Sequence, residues 1–164
     1  MNNVIGCFSR DGLGPLVRIQ GNMDAIQYRN IMENHMLPHA RDKMSQNWVY
    51  QEDNDPKHTS KLLIRSLRRL PDGRRVGIPG WFSLNGIQLF KWPSNSPDLK
   101  PIEHLWSQVK SKLKGHRFAS KDDLWAAVEQ AWGEIPIENV ISLVDSMPKR
   151  INSVIHSLGA HTKY

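Results

Sequence analysis

Cysteine is almost absent from these 164 residues: Cys7 stands alone, which excludes an internal disulfide and any zinc site built from several thiolates. A chain so poor in cysteine suits a reducing compartment such as nucleus or cytosol. No apolar run is long enough to span a membrane, and the opening MNNVIGCFSRDG lacks the basic stretch and apolar run of a secretory signal. We therefore expect no membrane partner and no secretion. Low-complexity tracts are missing as well. What is present is 39% hydrophobic and 23% charged residues with six tryptophans, the make-up of a globular chain, in a length that suits one domain. Lys and Arg number 22 against 16 Asp and Glu, a net charge of +6. That excess fits a polyanionic partner such as DNA or RNA, and fits a solvated basic surface equally well.

Patterning predicts the elements. Val4 to Phe8 and Leu16 to Ile19 flank the turn-rich residues 9–15, a β-hairpin. A strand beginning at residue 4 would leave an open sheet edge, which suggests that a further strand belongs before it. Tyr28, Ile31, Met32, His35 and Met36 recur at helical spacing, so a helix is expected from Ala25 to about Leu37, kinked or ended by Pro38. Core packing is the expected use of that stripe. Asn47 to Glu52 reads as a strand running into Asp53-Asn54-Asp55-Pro56, a turn. Thr59 or Ser60 would cap a helix reaching about Leu70, with Leu63, Leu67 and Leu70 on one face. Residues 71–85 hold so many glycines and prolines that a loop is expected, before a strand from Ile87 to Trp92.

Pro101 suits the first position of a helix carrying Ile102, Leu105, Trp106, Val109 and Leu113 on one stripe. Ser120 with Asp123 resembles a capping box that opens a helix with Leu124, Val128, Ala131 and Trp132 inward. Ile137 to Leu158 is helical in pattern and interrupted by Pro148. His35 and His39 have i, i+4 spacing, but Pro38 intervenes and no third ligand is evident, so they read as an ordinary surface or packed pair.

This order suggests a mixed α/β layer fold. Asp53 at a strand end and Glu103 at a helix start are placed to converge on one sheet edge. Paired carboxylates there suit two-metal phosphoryl transfer, because hard oxygen ligands hold Mg²⁺ while the ions stabilise attacking and leaving oxygens. Two isolated carboxylates are also, far more often, surface charges.

The surrounding residues sharpen that choice. The blocks QEDNDPKHTS, from Gln51 to Ser60, and WPSNSPDLKPIEHLW, from Trp92 to Trp106, closely resemble the two signature blocks of Tc/mariner-type DDE transposases. The resemblance extends to GCF and GPL near the start, to ENHMLP from Glu33 and to SMPKRI from Ser146, and so covers most of the chain outside about 67–80. It implies a ribonuclease-H-like α/β fold, a mixed sheet flanked by helices. It makes Asp53 the second and Glu103 the third catalytic, metal-binding carboxylate. Asp55 and Asp98 belong to the motifs outside that triad, and Asn54 and His58 match motif positions where turn-forming roles suffice. It further implies Mg²⁺ or Mn²⁺ as cofactor, DNA as partner, a homo-oligomeric assembly and work in the nucleus.

Two departures qualify those implications. The family's first aspartate lies on a strand upstream of the Gly-Cys-Phe hairpin. The expectation is thus a partial catalytic domain over 1–164, truncated at its N-terminus, lacking its first strand and leaving the metal site incomplete. Asp11, in a turn, and Asp24, before a helix, are not expected to substitute, and the family's helix-turn-helix domains have no counterpart here. Second, 49 residues lie between Asp53 and Glu103, more than is usual in the family, which points to an inserted loop near 67–80. A loop absorbs such an insertion for only ~0.6 kcal/mol per doubling of length. Its Arg74 and Arg75 would touch DNA phosphates or, more simply, water. The function expected is that of a DNA-binding fragment of a metal-dependent strand cleavage and joining domain, inactive alone. The alternatives are an active endonuclease completed by another residue or chain, and a non-enzymatic interaction remnant.

Overall fold

In the computed structural model, residues 4–45, 47–52, 65–69, 71, 75–90 and 99–157 are described, with 65–69 and 75–79 known in backbone only. The N-terminal hairpin forms as expected but with a tighter turn. β1 (Val4–Ser9) and β2 (Gly12–Arg18) pair antiparallel out to Ser9 opposite Gly12, so Arg10 and Asp11 alone make the turn. The Asp11 amide donates to Ser9 Oγ at 3.1 Å, and Gly12 takes φ +139°, a conformation side chains rarely permit. The register slips between Gly6 and Phe8. Such a bulge accommodates Pro15, which has no amide to give a ladder. Opposite it, a Cβ on Gly14 would stand 2.4 Å from Cys7 Sγ, so this position demands glycine. Burial pushes the Cys7 thiol up to about 11, leaving it unreactive.

The described chain parts into two compact units, Met1–Arg18 with Asn95–Tyr164, and Ile19–Ser94. In the first, the hairpin is joined by α4 (Ile102–Leu113), α5 (Lys121–Gly133), α6 (Ile137–Asp145) and α7 (Met147–His156). The apolar stripe of α4 is borne out: Leu105 and Val109 are fully buried in one core with Val128, Ala131, Trp132, Ile135 and Val140. Trp132 stacks on Trp106 at 4.9 Å and donates from Nε1 to the Gly14 carbonyl at 3.3 Å, tying α5 to the hairpin. Ser120 caps α5 as predicted, accepting the Asp123 amide at 3.0 Å. Leu124 departs from its expected inward place and is exposed, Trp125 packing against the core in its stead. The chain breaks at Ser146, and Pro148 enters the first turn of α7, where a missing amide costs nothing.

The second unit begins with α1 (Ala25–Ile31), capped by Asp24, whose carboxylate accepts the Gln27 amide at 2.7 Å. Pro38 does not end this run. A π-helical segment, Met32–Met36, follows, and the Leu37 amide reaches the Met32 carbonyl five residues back. The helix then continues as α2 (Leu37–Lys43) with Pro38 in its first turn. A proline ring clashes with the carbonyl four residues back in a regular α-helix, and the widened turn ahead of it opens that row. β3 is short, Val49–Tyr50, and pairs in parallel with β6 (Gln88–Leu89).

The helix expected to reach Leu70 and the loop expected over 71–85 are both corrected. β4 (Arg65–Arg69) pairs antiparallel with β5 (Arg75–Pro79), and α3 (Trp81–Leu84) follows. The leucine spacing suited a helix, but an antiparallel neighbour containing Val76 and Ile78 favours a ribbon. Residues 59–64 of the predicted helix lie outside the described residues. Tyr28, Ile31, Met32 and Met36 are buried, as the stripe predicted, together with Leu37, Trp81, Phe82 and Ile87, whereas His35, placed on the same face by its spacing, is exposed. No helix among the described residues is long and apolar enough to cross a membrane.

Candidate active site

Glu103 stands in the first turn of α4. Pro101 precedes the helix at φ −62°, already near-helical, and the Lys100 carbonyl accepts the Glu103 amide at 3.1 Å. A carboxylate here stands at the positive end of the helix dipole, a favourable place for negative charge. It is exposed, and among the described residues no cation or hydrogen-bond donor engages it. An anionic oxygen ligand left uncommitted in this way fits one place in a divalent-metal ligand set.

The turn holding Glu103 is braced from behind. Arg150 on α7 is 2% exposed, and its Nη2 lies 3.4 Å from His104 Nε2. Guanidinium has only donors, so the imidazole nitrogen accepts and the ring is neutral. Arg150 Nε also donates to Ser146 Oγ at 2.8 Å, and that hydroxyl donates to the Leu143 carbonyl at 2.6 Å. Burial, and then the Arg150 charge, hold the His104 pKa below its usual value, while Glu103 pulls the other way. Arg150 belongs to the SMPKRI block, yet nothing in sequence assigned it a role. The available signal was a cation inside a block otherwise suited to packing.

Asp53, together with Asn54, Asp55, His58 and Asp98, lies outside the described residues. The strand leading to Asp53 is described. Tyr28, buried on α1, donates its hydroxyl to Glu52 Oε2 at 2.5 Å and lies 3.1 Å from the Tyr50 hydroxyl. Tyr50 in turn reaches Met32 Sδ at 3.5 Å and packs its ring 5.9 Å from Phe82, while its carbonyl accepts the Phe90 amide at 2.8 Å. Burial first, and then Tyr50 and Glu52, raise the Tyr28 pKa far above the usual phenol range, so it remains a donor. Reading Tyr28 as one more core residue missed this anchor. The clue was a hydroxyl at a position where leucine would pack as well.

Of the two predicted metal ligands the structure thus places Glu103. It describes no approach of the two carboxylates, and among the described residues no three His, Cys, Asp or Glu side chains gather at metal distance.

The sequence family described as DDE superfamily endonuclease matches residues 2–125, and the chain belongs to that family, in its Tc/mariner transposase branch. It is 43% identical over 161 residues to the transposable element Tcb1 transposase of Caenorhabditis briggsae, and 44% identical over 161 to the Tc1 transposase of Caenorhabditis elegans. Each match takes in 98% of this chain and 54% of the relative, so the chain spans about half the length of the curated relatives it matches.

Among solved structures, the Mos1 transposase catalytic domain with raltegravir and Mn superposes with a TM-score of 0.78 at 16% identity, over 98% of this chain and 76% of that one. The Mos1 mariner paired-end complex with Mn gives 0.75 at 19% identity, over 95% of this chain and 43% of that one. The fold is therefore ribonuclease-H-like, as the resemblance implied.

Proposed function

We propose that this chain is the portion of a DNA strand cleavage and joining domain that supplies the second and third metal-binding carboxylates, Asp53 and Glu103. The observation carrying this reading is the uncommitted Glu103 carboxylate in the first turn of α4, inside the block that resembles the family motif. Mg²⁺ or Mn²⁺, when bound, supplies charge stabilisation to the attacking and leaving oxygens of a phosphodiester. The Arg150–His104 contact keeps the turn that presents Glu103 in place, and the Tyr28–Glu52 hydrogen bond anchors the residue before Asp53. Such placement matters because a small displacement of a ligand set lowers the rate steeply.

Transposon DNA is the substrate and partner. Mos1 transposase has been solved with Mn and with Mg, in paired-end complexes and in a strand transfer complex, which supports both metal and DNA here. The net charge of +6 agrees. A homo-oligomer assembled on DNA in the nucleus follows from the same reading. The β4–β5 ribbon accounts for the long spacing between Asp53 and Glu103 as an insertion that pairs with itself. Because only two of the family's three carboxylates match positions in these 164 residues, the residues by themselves bind DNA without cutting it.

Nicking of supercoiled plasmid with Mg²⁺ or Mn²⁺ tests this, with Asp53→Asn and Glu103→Gln alongside and circular dichroism to show folding. No nicking by the folded chain is the expected result. Nicking that both substitutions abolish would show a site completed by another residue or chain, and would replace the inactive reading with the active one.

A further inference from the structure

The exposed side of α4 carries more than Glu103. At about 100° per residue, Ser107, Lys110 and Lys114 all fall within ~40° of Glu103 around the helix axis, while Lys112 lies ~180° away. The difference in position is matched by a difference in pairing. Lys112 donates from Nζ to Glu134 Oε2 at 2.8 Å, whereas Lys110 and Lys114 meet no carboxylate among the described residues. Both are exposed, and with Ser107, Ser111 and Leu113 they line a shallow open depression. Attraction of cations to a helix C-terminus would account for all three lysines alike. It does not account for leaving uncompensated only the two on the Glu103 side.

We infer that this face of α4, from Glu103 past Lys110 to Lys114 at the C-cap, is a track for a DNA phosphate backbone that leads the strand to the Glu103 carboxylate. The inference rests on the reading of the chain as a DNA cleavage and joining domain. With ~1.5 Å of rise per residue, Lys110 lies roughly 10 Å and Lys114 roughly 16 Å along the axis from Glu103. Phosphates on one strand rise ~3.4 Å per nucleotide along the duplex axis and stand farther apart than that through space as the strand winds, so the two lysines meet phosphates within a few nucleotides of the one at Glu103. Ser107 gives its hydroxyl proton to the Glu103 carbonyl at 2.9 Å, which leaves the two lysines as the phosphate-binding groups, contacts that position a strand without reading its sequence. Such a track orders the substrate by geometry and leaves sequence choice to other parts of a transposase.

The test is equilibrium binding of a fluorescent duplex by the chain, measured by anisotropy over a range of salt concentrations. Lys110→Ala/Lys114→Ala is compared with Lys112→Ala/Lys149→Ala, which removes the same formal charge from elsewhere, and circular dichroism confirms that each is folded. The expected result is a log K against log[salt] slope shallower by about two for the first pair, since each phosphate contact contributes ~0.9, and an unchanged slope for the second. Equal changes in both pairs would show that net charge alone acts, and no change in the first pair would place the DNA elsewhere. Either result overturns the track. A native chain with no salt-dependent binding would instead remove the DNA-binding reading on which it stands.

Discussion

In the unit built from the N-terminal hairpin and α4 to α7, Leu105, Val109 and Val140 are fully buried around Trp132, and the element that carries Glu103 leans on apolar contact over most of its inner face. In the unit of residues 19–94 an equally buried Tyr28 binds Glu52 and Tyr50, and the approach to Asp53 leans on a polar network. Apolar packing spreads its stabilisation over many weak contacts, so losing one side chain is graded by size. A buried network is worth most when complete, and one missing donor strands its partner in a medium that cannot solvate it.

The comparison can be broken most forcefully at Trp132. Trp132→Ala removes the stack on Trp106 and the tie to Gly14, and should lower unfolding free energy by about 3–5 kcal/mol in urea titration. A loss below ~1 kcal/mol would show that the hairpin is held by something other than this core. Tyr28→Phe keeps the ring and deletes one hydroxyl, and should cost about 1–3 kcal/mol by the same measurement. Adding Glu52→Leu to Tyr28→Phe should recover part of that loss, because removing both partners is cheaper than removing one. A second substitution whose cost simply adds would mean the two groups do not interact.

The smallest effect is one of pH. Folding holds the His104 pKa below 6.5, so as pH falls through 6.5 the unfolded chain takes up its proton first and stability declines. The contribution is fully present above that pH and is lost as pH drops through the folded value. Urea midpoints should fall between pH 7.5 and pH 5, and His104→Gln should flatten that part of the slope. An unchanged slope would remove Arg150 from the account of how the Glu103 turn is braced.

Much of this arrangement was legible in residue order. The Ile102 to Leu113 stripe, the Ser120 cap and the break before Pro148 each follow from a periodicity or a local hydrogen bond, and all three appear where expected. Glu103 was legible as a candidate site residue through the motif around it. Three features were not. Residues 65–69 satisfy helical leucine spacing but pair with 75–79, and local spacing cannot weigh a partner strand. Pro38 reads as a kink or an end, and residue order does not say which; a π turn carries the helix past it. Leu124 fits an inward face but is exposed, because the width of a buried face is set by its neighbours.

Sequence by itself determined the family, the candidate carboxylates Asp53 and Glu103, and the helices of the C-terminal half. These depend on residue type at short separations, where one turn of helix or one motif holds the information. Tertiary structure alone decided that Arg150 meets His104 across 46 positions, that Tyr28 takes up Glu52 across 24, and that among the described residues Lys112 meets a carboxylate while Lys110 and Lys114 do not. Such contacts depend on which surfaces come together once apolar faces are buried, and no short-range pattern records that choice.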